Sequence, residues 1–204
     1  MLTIGVIPTV TAIDIPRALR AFRESHPLVR VRLRGGGSDA FVDAIVGGSM
    51  DIAVLGLAES VKPTKVATRV LAREQLVAVL SSEHPLARRR RLALRDLADE
   101  VFVDFPEGTP GRAQSDLAFA AAGLRREVMF DAMSTDMTLG LVRQNLAVTL
   151  LARPIVLDDP SIVSIPVPDG PRRTEYLAWS GFNPSPAARA FLDVVDAHSA
   201  SRDR

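Results

Sequence analysis

The feature that most constrains this chain is an order of signals that occurs twice. Residues 2–55 and residues 101–151 each run strand, hydroxyl-rich turn, helix, Gly or Asn stop, strand. Between them stands the apolar run Leu76–Val77–Ala78–Val79–Leu80, followed by Ser81–Ser82–Glu83–His84–Pro85–Leu86–Ala87. A chain written this way builds two similar α/β lobes, and a cleft between lobes is where small molecules bind. No catalytic motif stands anywhere along it.

The local signals carry the plan. Leu2, Ile4 and Val6 open an apolar run through Ile7, the pattern of a parallel strand covered on both faces. Thr9–Val10–Thr11 is a turn, Asp14 a helix N-cap, and Pro16 sits in the first helical turn, where its missing N–H costs nothing. Ile15, Leu19 and Phe22 mark a helical stripe that ends near Ser25–His26–Pro27. Val29, Val31 and Leu33 then alternate with Arg30, Arg32 and Arg34 as a half-exposed edge strand. After Gly35–Gly36–Gly37, Ser38 is expected to cap a helix carrying Phe41, Val42, Ile45 and Val46, with a strand at 51–55 beyond Gly47–Gly48. In the second half, strands are expected at 101–105, 128–130 and 148–151. One helix runs from about Arg112 to Gly123, another follows Ser134–Thr135–Asp136, and Asn145 is its left-handed stop. Strands at 162–167 and 175–179 precede a last helix capped by Ser185, with Pro186 first, and the chain is expected to fray beyond about residue 199.

Composition narrows the function classes. A chain of 204 residues is long enough to bury roughly 70% of its unfolded surface. Its net charge of +1 provides no bulk field for nucleic acid or an anionic membrane. Lys62 and Lys65 are the only lysines, so almost all basic charge is arginine. The absence of cysteine excludes disulfides, thiolate zinc sites and cysteine nucleophiles. The first residues read directly as a strand with no basic segment or long apolar stretch before it, and no run approaches the roughly 20 apolar residues of a membrane span. The expected location is cytoplasmic.

Several segments together resemble the effector-binding (regulatory) domain of LysR-type transcriptional regulators. Leu2–Thr3–Ile4–Gly5–Val6 is similar to that family's opening strand. Phe22–Arg23–Glu24–Ser25–His26–Pro27 resembles its helix end before an alternating strand, and Gly47–Gly48–Ser49–Met50–Asp51–Ile52–Ala53–Val54 its G-x-x-D-x-A segment. Glu83–His84–Pro85–Leu86–Ala87 with Leu94–Arg95–Asp96–Leu97–Ala98 resembles its H-P-L-A and L-x-D-L-A signature. Residues 146–154 are similar to its G-I-A-L-L-P element, and 185–191 to its closing helix. Each piece is weak alone; their order and spacing make the match specific. Asn145 and Leu146 depart from it, standing where the family prefers Gly. The winged helix-turn-helix of such regulators is not in the sequence, so the chain reads as a fragment of a longer regulator, with a free-standing binding domain as the alternative.

The resemblance implies a type II periplasmic-binding-protein-like fold: two Rossmann-like lobes, an interlobe cleft and two crossover strands, near Leu76 and Trp179. Lobe I is expected at 1–72 and 179–204, and lobe II at 73–178. It also implies a small effector, anionic and of carboxylate type, a homodimer or tetramer of antiparallel domains, and DNA contact only through the missing domain. No cofactor, metal or catalytic residue is expected. The hydroxyl-rich turns that open helices supply unpaired N–H groups and a partial positive charge for an anion. Thr9, Thr11 and Ser38 are the first lobe's candidates; Thr9 and Ser38 stand, by resemblance, where family members hold the effector's polar end. Thr109, Arg112 and Ser134 are the second lobe's, Arg112 being able to fork onto a carboxylate. Each has a plainer role open to it, as a cap, a turn residue or a solvated arginine. Phe105 and Pro154 are candidate apolar wall.

Other features read plainly. Arg88–Arg89–Arg90–Arg91 has the look of a nucleic-acid patch, but no aromatic residue interleaves it and it reads as decoration of an exposed turn. Gly35–Gly36–Gly37–Ser38 has no lysine after it and is not a P-loop. His26, His84 and His198 lack metal-ligand spacing. A solute-binding protein of a transport system shares the expected fold, and an enzyme on it would need an acid/base pair or a supported nucleophile that the sequence does not show.

Overall fold

Parallel strands must be joined by crossovers, and the first part of the chain supplies two helical ones. The computed structural model describes residues 1–156 and 158–200, with side chains through Ala197; the fraying expected beyond 199 falls past residue 200, outside the described residues. The elements are β1 (Leu2–Val6), α1 (Ile15–Ser25), β2 (Val31–Gly35), α2 (Ser38–Val46), β3 (Ile52–Ala58), β4 (Ala67–Ser81), α3 (Leu94–Leu97), β5 (Val101–Asp104), α4 (Pro110–Ala121), β6 (Glu127–Asp131), α5 (Thr135–Arg143), β7 (Thr149–Ala152), β8 (Ile162–Pro166), β9 (Arg172–Trp179) and α6 (Pro186–Ala200). Short 3-10 turns fill Pro85–Arg88 and Arg153–Ile155. Two compact units divide the chain. The first holds Met1–Leu55, Pro63–Leu71 and the stretch from Glu175 onward; the second holds Gly56–Lys62 and Ala72–Thr174. Strands β3, β4 and β9 each start in one unit and end in the other.

In the first unit β1 lies between β2 and β3, parallel to both, with Val6 level with Gly35 on one side and with Val54 on the other. Leu2 and Ile4 are fully buried. A Cβ on Gly5 would meet Met50 Sδ at 2.7 Å and Phe41 Cγ at 2.9 Å, so only glycine lets α2 pack this closely on β1. Helix α1 starts as expected: Asp14 accepts from the Arg17 N–H at 3.0 Å and Pro16 stands in its first turn. It buries Ile15, Ala18 and Phe22, and Phe22 meets Phe191 of α6 edge-on at 5.6 Å. Ser185 does cap α6, accepting from the Ala188 N–H at 3.1 Å, and its hydroxyl donates to Asp51 at 2.7 Å.

Two expectations for this unit need correction. The edge strand begins at Val31, not Val29, because the Val29 N–H closes a turn onto the His26 carbonyl at 3.1 Å. The cap of α2 is Gly37, with no side-chain bond; Ser38 is the first helical residue and is 2% exposed. With three preceding glycines, the chain enters the helix one residue earlier than a serine cap would require.

In the second unit β4 pairs antiparallel with β7 and with β8. Strands β5 and β6 run parallel, with an irregularity between Phe102 and Val103. The core gathers Leu76, Ala78, Leu80, Leu92, Leu94, Leu97, Phe102 and Phe119, the two rings meeting edge-on at 5.7 Å. Strand β4 is far longer than the expected 76–80. Its first half is half-exposed and polar, and its polar groups have partners: Glu74 accepts from Arg173 at 2.7 Å, and the Gln75 amide donates to the Gly170 carbonyl at 2.7 Å. Helix α4 begins at Pro110, two residues before Arg112, with Thr109 as its cap. Asn145 has φ 53°, the left-handed stop expected of it.

Candidate functional site

Each unit carries a group of hydroxyl-bearing turn residues, a candidate half-site. In the first, the parallel pairing of Val6 with Gly35 brings the loop after β1 and the turn after β2 to one edge, the carboxyl ends of the strands. In open α/β sheets that edge, where strand order reverses, is where ligands bind. The order β2-β1-β3 places such a reversal at β1. Thr9 is 7% exposed in the β1–α1 loop. Ser38 opens α2, whose first N–H groups have no partner within the helix. A Cβ at Gly36 would strike Phe41 Cε1 at 2.9 Å, so the turn stays bare backbone.

Thr11 has a different task. Its hydroxyl donates to Glu175 Oε1 at 2.6 Å and its N–H to the same oxygen at 3.0 Å, while the Ala12 N–H donates to Oε2 at 3.1 Å. Glu175, on β9, is fully buried. One carboxylate thus gathers three donors of the β1–α1 loop and holds it in shape. Nothing in the sequence distinguished Glu175 from the apolar strand around it.

The second half-site is built from ions. Thr109 donates to the Pro106 carbonyl at 2.7 Å and accepts from the Arg112 N–H at 3.3 Å, so its hydroxyl closes its own turn. Arg112 donates from Nε to Asp116 at 3.1 Å and from Nη1 to the Phe105 carbonyl at 3.3 Å and Asp131 at 3.4 Å. Asp116 is shared: Arg126 Nη2 also donates to it, at 2.7 Å, and lies 2.6 Å from Asp104 Oδ2. The Arg126 side chain is only 3% exposed, its guanidinium 5.0 Å from the centre of the Phe102 ring and 5.5 Å from that of Phe119. Its Nε and Nη1 are buried without hydrogen-bond partners. Burial pushes the Asp104 carboxyl above its ordinary pKa, against the pull of Arg126. Asp104 accepts the Phe105 N–H at 2.7 Å, fixing the start of the loop that leads to Thr109. Ser134, exposed, caps α5 by accepting from the Met137 N–H at 3.4 Å. Phe105 packs beneath Gly111, where a Cβ would lie 2.7 Å from its ring.

The six sequence candidates therefore fall into two groups of three. Thr9, Thr11 and Ser38 stand together in the first unit, and Thr109, Arg112 and Ser134 belong to the second. Asp104, Asp116 and Arg126 escaped sequence reading; Arg125–Arg126–Glu127 looks like a solvated charge run, and only the packing of Phe102 and Phe119 makes one of its arginines a core residue. Among the described residues no group of His, Cys, Asp and Glu is placed to hold a metal ion, and no helix is long and apolar enough to cross a membrane. His84 is a turn residue, accepting the Leu86 N–H at 3.2 Å and facing Glu100 at 3.3 Å.

The model of the LysR substrate binding domain matches residues 1–200, and the chain belongs to this family. An uncharacterized HTH-type transcriptional regulator of Bacillus subtilis, YybE, is 26% identical over 202 residues, which cover 97% of this chain and 68% of that protein. The effector binding domain of BenM with its effector benzoate superposes with a TM-score of 0.78 at 19% identity, covering 99% of this chain and 93% of that one. The effector binding domain of QuiR in complex with shikimate gives 0.80 at 19% identity, covering 98% and 97%. These likenesses establish the type II periplasmic-binding-protein-like fold. Against the curated relatives it matches, the chain spans from about half to about two thirds of their length. The named relatives are transcriptional regulators and not enzymes.

Proposed function

We propose that this chain senses a small carboxylate effector for a transcriptional regulator, whose DNA contacts are made by another part of the protein, in the cytoplasm. The lobes expected from the sequence, 1–72 with 179–204 and 73–178, each supply one half-site. The observation that carries the reading is the pair of buried hydroxyl residues Thr9 and Ser38 at the carboxyl edge of a parallel sheet, beside the amino end of α2. That edge suits an anion's oxygens: donors are clustered there and the helix end is partially positive. In this reading Thr9 and Ser38 touch the effector's charged end. Thr11, Thr109 and Ser134 shape the walls, and Arg112 offers its remaining guanidinium edge. BenM with benzoate and QuiR with shikimate support a carboxylate, since both named ligands are carboxylates. Signalling then requires that the effector bind two states of the regulator with different affinity.

A homodimer fits the exposed edges. Among the described residues, strand β2 pairs only with β1 and presents Arg32, Leu33 and Arg34, and β6 pairs only with β5 and presents Glu127, Met129 and Asp131. An antiparallel two-fold arrangement sets the basic edge of one copy against the acidic edge of its partner.

The test is a thermal-shift screen of aromatic and aliphatic carboxylates, with benzoate and shikimate among them. At least one compound is expected to raise the melting temperature, and Thr9→Ala with Ser38→Ala to abolish that rise while the fold is kept. Full ligand stabilisation in the double variant would move the site elsewhere.

A further inference from the structure

The arginines of the second unit differ in what they face, and four of them stand side by side. Arg112, Arg126, Arg143, Arg172 and Arg173 each face a carboxylate. Arg88, Arg89, Arg90 and Arg91 are all exposed, and no ion pair among the described residues reaches them. Two nearby acids are turned to other work: Glu100 faces His84 at 3.3 Å, and Asp96 accepts the Ala93 N–H at 2.8 Å.

This run is not a loose tail. The Arg89 N–H donates to the Leu86 carbonyl at 3.0 Å, and the Leu92 N–H to the Pro166 carbonyl at 3.0 Å. Leu86 packs on the core before the run, and Leu92 and Leu94, 2% and 1% exposed, lock the chain after it. Four exposed arginines thus stand on a pinned strap whose backbone is extended at Arg89, with φ −72° and ψ 141°.

The chemistry of the strap selects its partner. A protein interface needs an apolar centre, and the run has no apolar residue within it. Single-stranded nucleic acid is held by stacking on aromatic side chains, and none stands here. What four unpaired guanidiniums fit is a surface of closely spaced anionic oxygens, and duplex DNA presents one phosphate charge per about 1.7 Å of its axis. We propose that Arg88–Arg89–Arg90–Arg91 is a sequence-independent contact for the phosphate backbone of duplex DNA. It goes beyond effector sensing, and it departs from the expectations that DNA contact belongs wholly to another domain and that the run only decorates a turn. In a regulator it would let the sensing domain grip DNA that a separate domain has located.

The experiment uses this chain alone, so its failure would leave the effector reading standing. Fluorescence anisotropy with a 30-base-pair duplex of arbitrary sequence is followed between 25 and 100 mM salt. If four phosphates are neutralised, affinity is expected to fall about 100-fold across that range, with a slope near −3.6 on logarithmic axes. Replacing all four arginines with Gln should remove the binding, and replacing all four with Lys should preserve it. The Arg73→Gln, Arg95→Gln, Arg125→Gln variant loses a similar charge from other exposed positions of the second unit and should bind as the parent does. The proposal is overturned by any of three results: no duplex binding at 25 mM salt, equal loss in that control variant, or binding to polyglutamate as tight as to duplex. Because all four side chains are exposed, the Gln variant should melt with the parent, and its melting curve is recorded beside each titration.

Discussion

The two candidate half-sites solve one problem by different means. Each must hold a polar turn in a fixed shape at the end of a strand. The first unit does so with a single fully buried carboxylate, Glu175, which gathers a hydroxyl and two backbone N–H groups of the β1–α1 loop. The second uses two arginines and three aspartates, with Asp116 bridging Arg112 and Arg126. The difference shows in which residues the scaffold draws on. Glu175 takes up Thr11, while Thr9 and Ser38 lie nearby at the carboxyl edge of the strands. In the second unit the scaffold draws on Thr109 and Arg112 themselves, so the residues that look most like binding groups are already at work. A polar side chain at a helix start reports a fixed turn first and a ligand contact second.

The strongest challenge to this contrast is Arg126→Met. Removing one partner of a buried ion pair leaves Asp104 uncompensated and should cost about 3–5 kcal/mol in urea denaturation. Adding Asp104→Leu should restore much of that stability, because a well-packed apolar pair can equal a buried ionic one. A loss below about 1 kcal/mol in Arg126→Met would mean that the network does not hold the turn.

Glu175→Ala comes next. It strands the Thr11 and Ala12 donors in a buried setting and should cost about 2–4 kcal/mol by the same denaturation. Glu175→Gln, which keeps one acceptor oxygen, should cost less. If the two variants are equally stable, the loop is held by something other than the carboxylate. Smaller still is Thr109→Ala, which removes a helix cap and should cost about 1 kcal/mol.

The ion network also gives the second unit a pH response. Burial raises the Asp104 pKa in the folded state, so within the window between its unfolded and folded values the native protein binds the extra proton. The contribution from this group is full below the unfolded value and is lost as pH rises through the folded one. Parent and Asp104→Asn stabilities, measured against pH, should therefore diverge with the parent declining relative to the variant as pH rises from about 4. The opposite trend would show that Arg126 outweighs burial.

Much of the frame was legible because local chemistry decides it. The cap at Asp14, the left-handed stop at Asn145 and the Ser185 cap follow from side-chain types that have few other uses in those places. Strand β2 does stand at an edge, but Leu33 is 52% exposed, so its apolar and basic residues do not alternate between buried and exposed. Strand β4 was half hidden, since apolar runs reveal only its wholly buried end, while its first half is stabilised by long-range partners such as Arg173 and the 167–171 carbonyls. The site was less legible for the same reason. Glu175 lies 164 positions from Thr11, and Arg126 becomes a core cation only through Phe102 and Phe119. Sequence spacing carries no trace of pairings that distant.

The account rests on the first half-site meeting an effector directly while the second mainly gives it shape. Isothermal titration of the best carboxylate from the screen into Thr9→Ala, Ser38→Ala and Thr109→Ala tests it most directly. The first two variants should each weaken binding by about 10-fold or more, the cost of one lost hydrogen bond to a charged group, with the fold kept. Thr109→Ala should lower stability and leave affinity within about threefold. Affinity lost in Thr109→Ala and kept in Thr9→Ala and Ser38→Ala would contradict the account.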